Sequence, residues 1–143
     1  MTDDTTARRF ERELTIRFSH CDPAGIVFFP QYLVMFNNLV EDFVSDGLGI
    51  PYAALITERR TGLPTVSLNC TFTAVSRLGD KVTLWLEVAH VGGSSLKLVL
   101  GCRQGDEARV RVEQVLVITD LNTHRPMRIP DDLRAALTAF QEH

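Results

Sequence analysis

The chain has 143 residues, 45% of them apolar and 23% charged, with fifteen Lys and Arg against eighteen Asp and Glu for a net charge of −3. This is the make-up of a single globular domain that buries roughly two-thirds of its unfolded surface. It leaves no room for a second full domain and gives no global basic field to attract nucleic acid.

Cys21, Cys70 and Cys102 cannot all pair with one another and show neither CxxC nor Cys/His zinc spacing. They read as reduced thiols in a cytoplasmic protein. The opening MTDDTTARRFERE lacks a signal-peptide core, and no apolar run approaches the roughly 20 residues that span a bilayer, so membrane insertion is not expected.

In chain order, residues 1–8 read as a frayed end. Residues 13–18 alternate, with Leu14, Ile16 and Phe18 on the inward side of a half-buried strand. A turn-forming cluster, His20 to Gly25, follows. Leu33, Phe36, Val40, Phe43 and Val44 then recur at three-and-four spacing, which predicts a helix over 30–45, started by Pro30 and stopped at Gly47. That helix would be about 24 Å long at roughly 1.5 Å per residue. A shorter helix is expected over 51–60.

Runs of strand character cover 65–75, 81–91, 95–103 and 108–120, separated by the turns Leu78-Gly79-Asp80, Gly92-Gly93-Ser94 and Gln104-Gly105-Asp106. Connections this short predict antiparallel neighbours. Pro130-Asp131-Asp132 opens a last helix to about Phe140. The order is β-α-α-β-β-β-β-α, an α+β fold in which a curved antiparallel sheet wraps a long central helix. The alternation of Leu96, Leu98 and Leu100 with Lys97, Val99 and Gly101, and the apolar run from Val115 to Ile118, suggest a second sheet face and edge that stay partly apolar. A homodimer or homotetramer that pairs sheets is therefore expected.

The segment with chemical potential is Asp22 to Pro30. It sets a carboxylate after a strand, then a small loop, an apolar wall and a helix start. A helix N-terminus offers unpaired N–H groups and partial positive charge that can polarise a carbonyl. A nearby carboxylate can attack that carbonyl or activate water against it. Gly25 allows close backbone approach. On spacing alone, an Asx-turn at Asp22 before Pro23 with an apolar core behind it explains the same residues.

Asp22-Pro23-Ala24-Gly25-Ile26-Val27-Phe28-Phe29-Pro30, followed by Tyr32, resembles the signature of the 4-hydroxybenzoyl-CoA thioesterase family of hotdog-fold enzymes. The segment Pro64 to Asn69 and the Gly79-Asp80 turn fall where that family has its second strand and following turn. The resemblance implies a hotdog fold and hydrolysis of an acyl-CoA, 4-hydroxybenzoyl-CoA-like or short-chain, without metal or cofactor; CoA is part of the substrate. It also implies Asp22 as catalytic carboxylate and the Phe29 amide as polariser, with Gly25 giving access. Val27, Phe28, Tyr32 and Asn69 would line the acyl pocket. Ser95 would donate a hydrogen bond to the CoA arm, with Lys97, Arg103, Arg125 and Arg128 as candidates for its phosphates.

Three further features bear on this reading. His20, two residues before Asp22, would share its face on an extended strand, but His90, His124 and His143 form no metal-ligand spacing with the pair. Glu41 and Asp42 sit mid-helix, where another hotdog branch carries its acid, and Glu58 suggests a surface partner for Arg59 or Arg60. A noncatalytic acyl-thioester binding module and a hotdog hydratase or dehydratase are the alternative functions; the latter needs a His–Asp pair that Asp22 lacks.

Overall fold

The computed structural model describes residues 7–142, so most of the expected frayed start, and His143, lie outside the described residues. Arg8 is not loose: its guanidinium lies 4.3 Å from the centroid of the Phe140 ring.

Strand β1 (Phe10–Thr15) leads through a single 3-10 turn, Phe18–His20, and the Asp22 loop into helix α1 (Phe29–Asp42). The strand lies three residues earlier than the alternation implied. Its pairing with β4 (Lys81–Val91) runs from Phe10↔Leu86 to Thr15↔Lys81 and stops where β4 begins. Ile16 stays buried, but the chain then turns towards α1 and leaves Phe18 75% exposed rather than inward.

Helix α1 buries Tyr32, Met35, Phe36, Leu39 and Val40 on one stripe, each worth about 1.5–3 kcal/mol when fully removed from water. It runs into a wide π turn, Phe43–Gly47, and the chain continues through α2 (Tyr52–Thr57). The remaining elements are β2 (Thr61–Gly62), β3 (Thr65–Phe72), β4, β5 (Ser95–Gln104), β6 (Glu107–Val117), β7 (Thr119–Asp120), β8 (Arg125–Pro126) and α3 (Asp131–Gln141).

The main sheet has the order β1-β4-β5-β6-β3, and β2, β7 and β8 form a small second sheet that the periodicity did not reveal. The expected run of sequential neighbours holds from β4 to β6 and fails for β3. Strand β1 occupies the edge of β4 that β3 would need, so β3 crosses over and pairs with β6. No helix among the described residues is long and apolar enough to cross a membrane.

Leu96, Leu98 and Leu100 are all buried in the core. The opposite face is partly apolar as expected, since the strand register places Trp85, Val99, Val115 and Val117 on it together, but charged side chains share it. Ion pairs Arg9–Glu87, Arg103–Glu11, Lys97–Glu113 and Arg111–Glu113 populate that face. Trp85 is covered on it by the Arg9 guanidinium 3.8 Å from its ring centroid. Gly101 is required beneath Trp85, because a Cβ there would lie 2.3 Å from the indole. Exposed apolar side chains gather elsewhere, at the start of α1 and along β3: Phe28, Phe29, Val34, Val66, Leu68 and Phe72.

Candidate active site

The Asp22 loop is a small hairpin. The Asp22 N–H donates to the Ile26 carbonyl at 3.0 Å and the Gly25 N–H to the Asp22 carbonyl at 2.9 Å. Cys21 bridges Val27 in antiparallel fashion. Gly25 has φ +79° with open space where a Cβ would stand, so glycine is needed there for the left-handed backbone and leaves the loop surface clear. Asp22 Oδ1 accepts the Ala24 N–H at 2.8 Å: the Asx-turn anticipated from spacing is present. It occupies one carboxylate oxygen, and Oδ2 takes no hydrogen bond among the described residues. Asp22 is half-buried.

The hairpin closes onto the helix start. The Phe28 N–H donates to the His20 carbonyl at 3.0 Å, and Phe28 then serves as N-cap of α1 with extended backbone. Phe29 is the first helical residue, so its N–H has no carbonyl within the helix to bond. Pro30, next, has no N–H at all. The Gln31 N–H turns back to the Phe28 carbonyl at 2.8 Å. The Phe29 amide is therefore the first free donor at the positive end of a long helix.

Phe28 and Phe29 are exposed, their rings edge-to-face at 5.7 Å, and Phe29 meets Phe72 of β3 at 6.1 Å. Val27 is buried in the core. Tyr32 is 3% exposed and stacks between Phe36 and Phe72. Its hydroxyl donates to Ser76 Oγ at 2.7 Å, so it braces the wall from behind rather than presenting its polar end to a ligand. Burial raises its pKa despite that bond. One turn beyond Phe29, Leu33, Val34, Phe36 and Asn37 face Thr65, Leu68, Val112 and Gln114 across a groove of about 360 Å³.

Two expected contacts do not assemble within one chain. Asn69 is exposed on the face of β3 opposite Leu68, Cys70 and Phe72. Ser95 begins β5 at Val117, at the end of the sheet away from Asp22. Of the candidate phosphate contacts, Lys97 and Arg103 are engaged with Glu113 and Glu11, while Arg125 and Arg128 are exposed.

His20 is not on an extended strand beside Asp22. It ends the 3-10 turn, and its Nδ1 accepts the Arg17 N–H at 2.9 Å; burial first, then the Arg17 cation, lowers its pKa. Both causes and the Nδ1 acceptor role favour a neutral ring, so it caps the turn. Glu41 is exposed and Asp42 half-buried at the far end of α1. Arg59 pairs with Asp132 at 2.7 Å, and Arg60 reaches Asn122, rather than Glu58. No group of three His, Cys, Asp or Glu among the described residues is placed to hold a metal.

Periodicity and motif spacing do not single out Ser76 and Arg109 as the residues that tie this loop down. Alternation places Arg109 with Arg111 and Glu113 on the solvent side, yet it is 6% exposed and Ser76 is 1% exposed.

Residues 16–137 match the Thioesterase-like superfamily. A 4-hydroxybenzoyl-CoA thioesterase of Pseudomonas sp. (strain CBS-3) is 35% identical over 80 residues, which cover 54% of this chain and 56% of that enzyme. The match thus spans little over half of that relative's length. A 1,4-dihydroxy-2-naphthoyl-CoA thioesterase from Synechocystis superposes with a TM-score of 0.84 at 20% identity, over 94% of this chain and 98% of that one. A hypothetical protein of Staphylococcus aureus, solved in complex with CoA, gives 0.87 at 17% identity, over 99% and 89%. Identities this low speak for the fold alone, and that fold is the hotdog architecture of a sheet wrapped on a central helix. With the superfamily match running from the end of β1 into α3, the chain belongs to the thioesterase-like superfamily.

Proposed function

We propose that the protein hydrolyses an acyl-CoA thioester, 4-hydroxybenzoyl-CoA-like or short-chain, to the free acid and CoA. The observation that carries this reading is the pairing of a half-buried carboxylate, Asp22, with the unbonded Phe29 N–H on one short hairpin-to-helix segment. In the reaction the Phe29 amide polarises the thioester carbonyl and holds the oxyanion. Asp22 either adds to the carbonyl carbon or takes a proton from a water that adds there. Collapse of the oxyanion breaks the C–S bond and releases the CoA thiolate, a good leaving group with a pKa of about 8.5. On the first route the acyl-aspartyl anhydride is then hydrolysed by water; on the second the acid is free at once. The scheme calls on no metal or cofactor.

The exposed rings of Phe28 and Phe29 and the groove beyond them supply an apolar wall for the acyl group, with Val27 and Tyr32 packing behind. Asn69 and Ser95 join such a site only from a second copy of the chain. The uncharged edge of β3 and the exposed Val34, Val66 and Leu68 support a homodimer, or a tetramer built from it. Three free cysteines support a reducing, cytoplasmic setting.

The test is CoA release from an acyl-CoA panel, followed with a thiol reporter. Asp22→Asn is expected to lose about 10²–10⁴-fold in kcat, and undiminished release would remove Asp22 as catalyst. A wild type that binds acyl-CoA but cleaves no thioester would favour the binding module. A single turnover in ¹⁸O water, with label sought in Asp22, separates anhydride from general-base chemistry.

A further inference from the structure

The segment between β3 and β4 carries the Asp22 loop. Val27 donates its N–H to the Ser76 carbonyl at 2.9 Å, Leu78 donates to the Gly25 carbonyl at 2.9 Å, and Ile26 bridges Arg77. The helix is tied to the same residue, because Ser76 Oγ accepts the Tyr32 hydroxyl three positions after Phe29. Ser76 therefore holds the carboxylate-bearing loop through its backbone and the amide-bearing helix through its side chain.

Ser76 is itself fixed by Arg109. The guanidinium Nη1 faces three acceptors, the Val75 carbonyl at 3.0 Å, Ser76 Oγ at 3.1 Å and Asp80 Oδ2 at 3.1 Å. Its Nε donates to Glu107 at 2.6 Å and its Nη2 to Gln104. The Arg109 carbonyl accepts from Thr73 and Ala74, so the same residue turns the chain out of β3. A buried guanidinium is costly unless its donors are met, and here all three nitrogens are engaged, with two carboxylates nearby. A fork of donors in one plane suits such a task better than the point charge of lysine.

We propose that Arg109 is a positioning residue of the Asp22–Phe29 site, acting through Ser76 to set the loop carboxylate and the helix amide against one another. The inference rests on the thioesterase reading above. It differs from a general stabilising role in being local: loss of Arg109 should loosen the 22–28 loop and the 75–78 segment while β4 and β5 stay closed.

The experiment combines amide hydrogen exchange with steady-state kinetics on wild type, Ser76→Ala, Tyr32→Phe, Arg109→Lys and Arg109→Met. Arg109→Met should speed exchange at Gly25, Val27 and Leu78 by about tenfold or more relative to β4 and β5, and lower kcat about 100-fold with KM held within about twofold. Arg109→Lys should recover part of that loss, and Ser76→Ala should fall between them. Tyr32→Phe should show the smallest change, since only the helix tie is cut. If Arg109→Met does not fold, Ser76→Ala and Tyr32→Phe decide the matter, being small changes that keep the packing volume. An active wild type whose loop amides exchange no faster in these variants, or no faster than the β4 and β5 amides, overturns the positioning role alone. A wild type that releases no CoA overturns the thioesterase reading, and with it the site that Arg109 would position.

Discussion

At one edge of the main sheet, β1 places Glu11, Arg12 and Glu13 in the middle of six residues; at the other, β3 runs for eight residues, Thr65–Phe72, without a charge. Arg12 lies over the Phe10 ring at 4.3 Å and pairs with Asp46 at 2.8 Å. A strand approaching β1 would have to displace or bury those charges, which is how natural sheets blunt an edge. A strand approaching β3 meets free backbone donors and acceptors together with Val66, Leu68 and Phe72, each more than two-fifths exposed. The difference teaches that this chain guards one edge with charge and leaves the other unguarded, on the same side as the exposed Phe29 wall.

The largest expected effect comes from giving β3 the property of β1. Leu68→Arg should weaken self-association by about 100-fold or more, or about 2.7 kcal/mol, read by sedimentation over a concentration series. Val34→Glu, on the facing stretch of α1, should act in the same direction if helix and strand share one interface. A Leu68→Arg protein that associates as tightly as wild type would show that β3 is not the edge used. CoA release by the resulting monomer then reports whether a second copy completes the site.

A second contrast lies in how each edge is held. The pairs along β1 are exposed and worth about 0–1 kcal/mol each. The segment leaving β3 is anchored by the buried Arg109 and its carboxylates. The Arg77 N–H first, and then Arg109, hold the Asp80 carboxyl below its ordinary range. A carboxylate depressed in the folded state adds stability above its unfolded pKa of about 4 and loses it as pH falls through the folded value. Wild type should therefore exceed Asp80→Asn in stability at neutral pH, and the two should converge in acid below about pH 4. Urea unfolding from pH 7 to pH 3 measures the gap. A gap that stays constant across that range would mean that ionisation of Asp80 does not hold the segment.

The same contrast explains what the sequence disclosed. Strand β4 lies at residues 81–91 as its alternation and flanking turns indicate, because those signals are local. The Asp22 turn was legible for the same reason: an Asx-turn and a glycine with positive φ need only near neighbours. The pairing of β3 with β6 was not legible, since turn chemistry says nothing about which distant edge is vacant. Nor was Arg109, whose burial depends on residues 73–80 folding across it. Phe18 and Tyr32 depart from their local patterns in opposite directions. One continued an alternating pattern past the point where its pairing partner ran out, and the other sat in a signature whose wall it braces with a hydroxyl turned to Ser76.

The smallest effect should come from removing one guard at the protected edge. Arg12→Ala loses an exposed ion pair and a cation–π contact, together at most about 2 kcal/mol of unfolding free energy. Glu11 and Glu13 remain on the strand, so a new strand would still have to desolvate charge to pair there. Sedimentation of Arg12→Ala should match wild type, with the urea midpoint lowered by no more than that loss implies. Higher oligomers in that variant would show that Arg12 alone guards β1, whereas a weakened dimer would place β1 in the interface and reverse the contrast between the two edges.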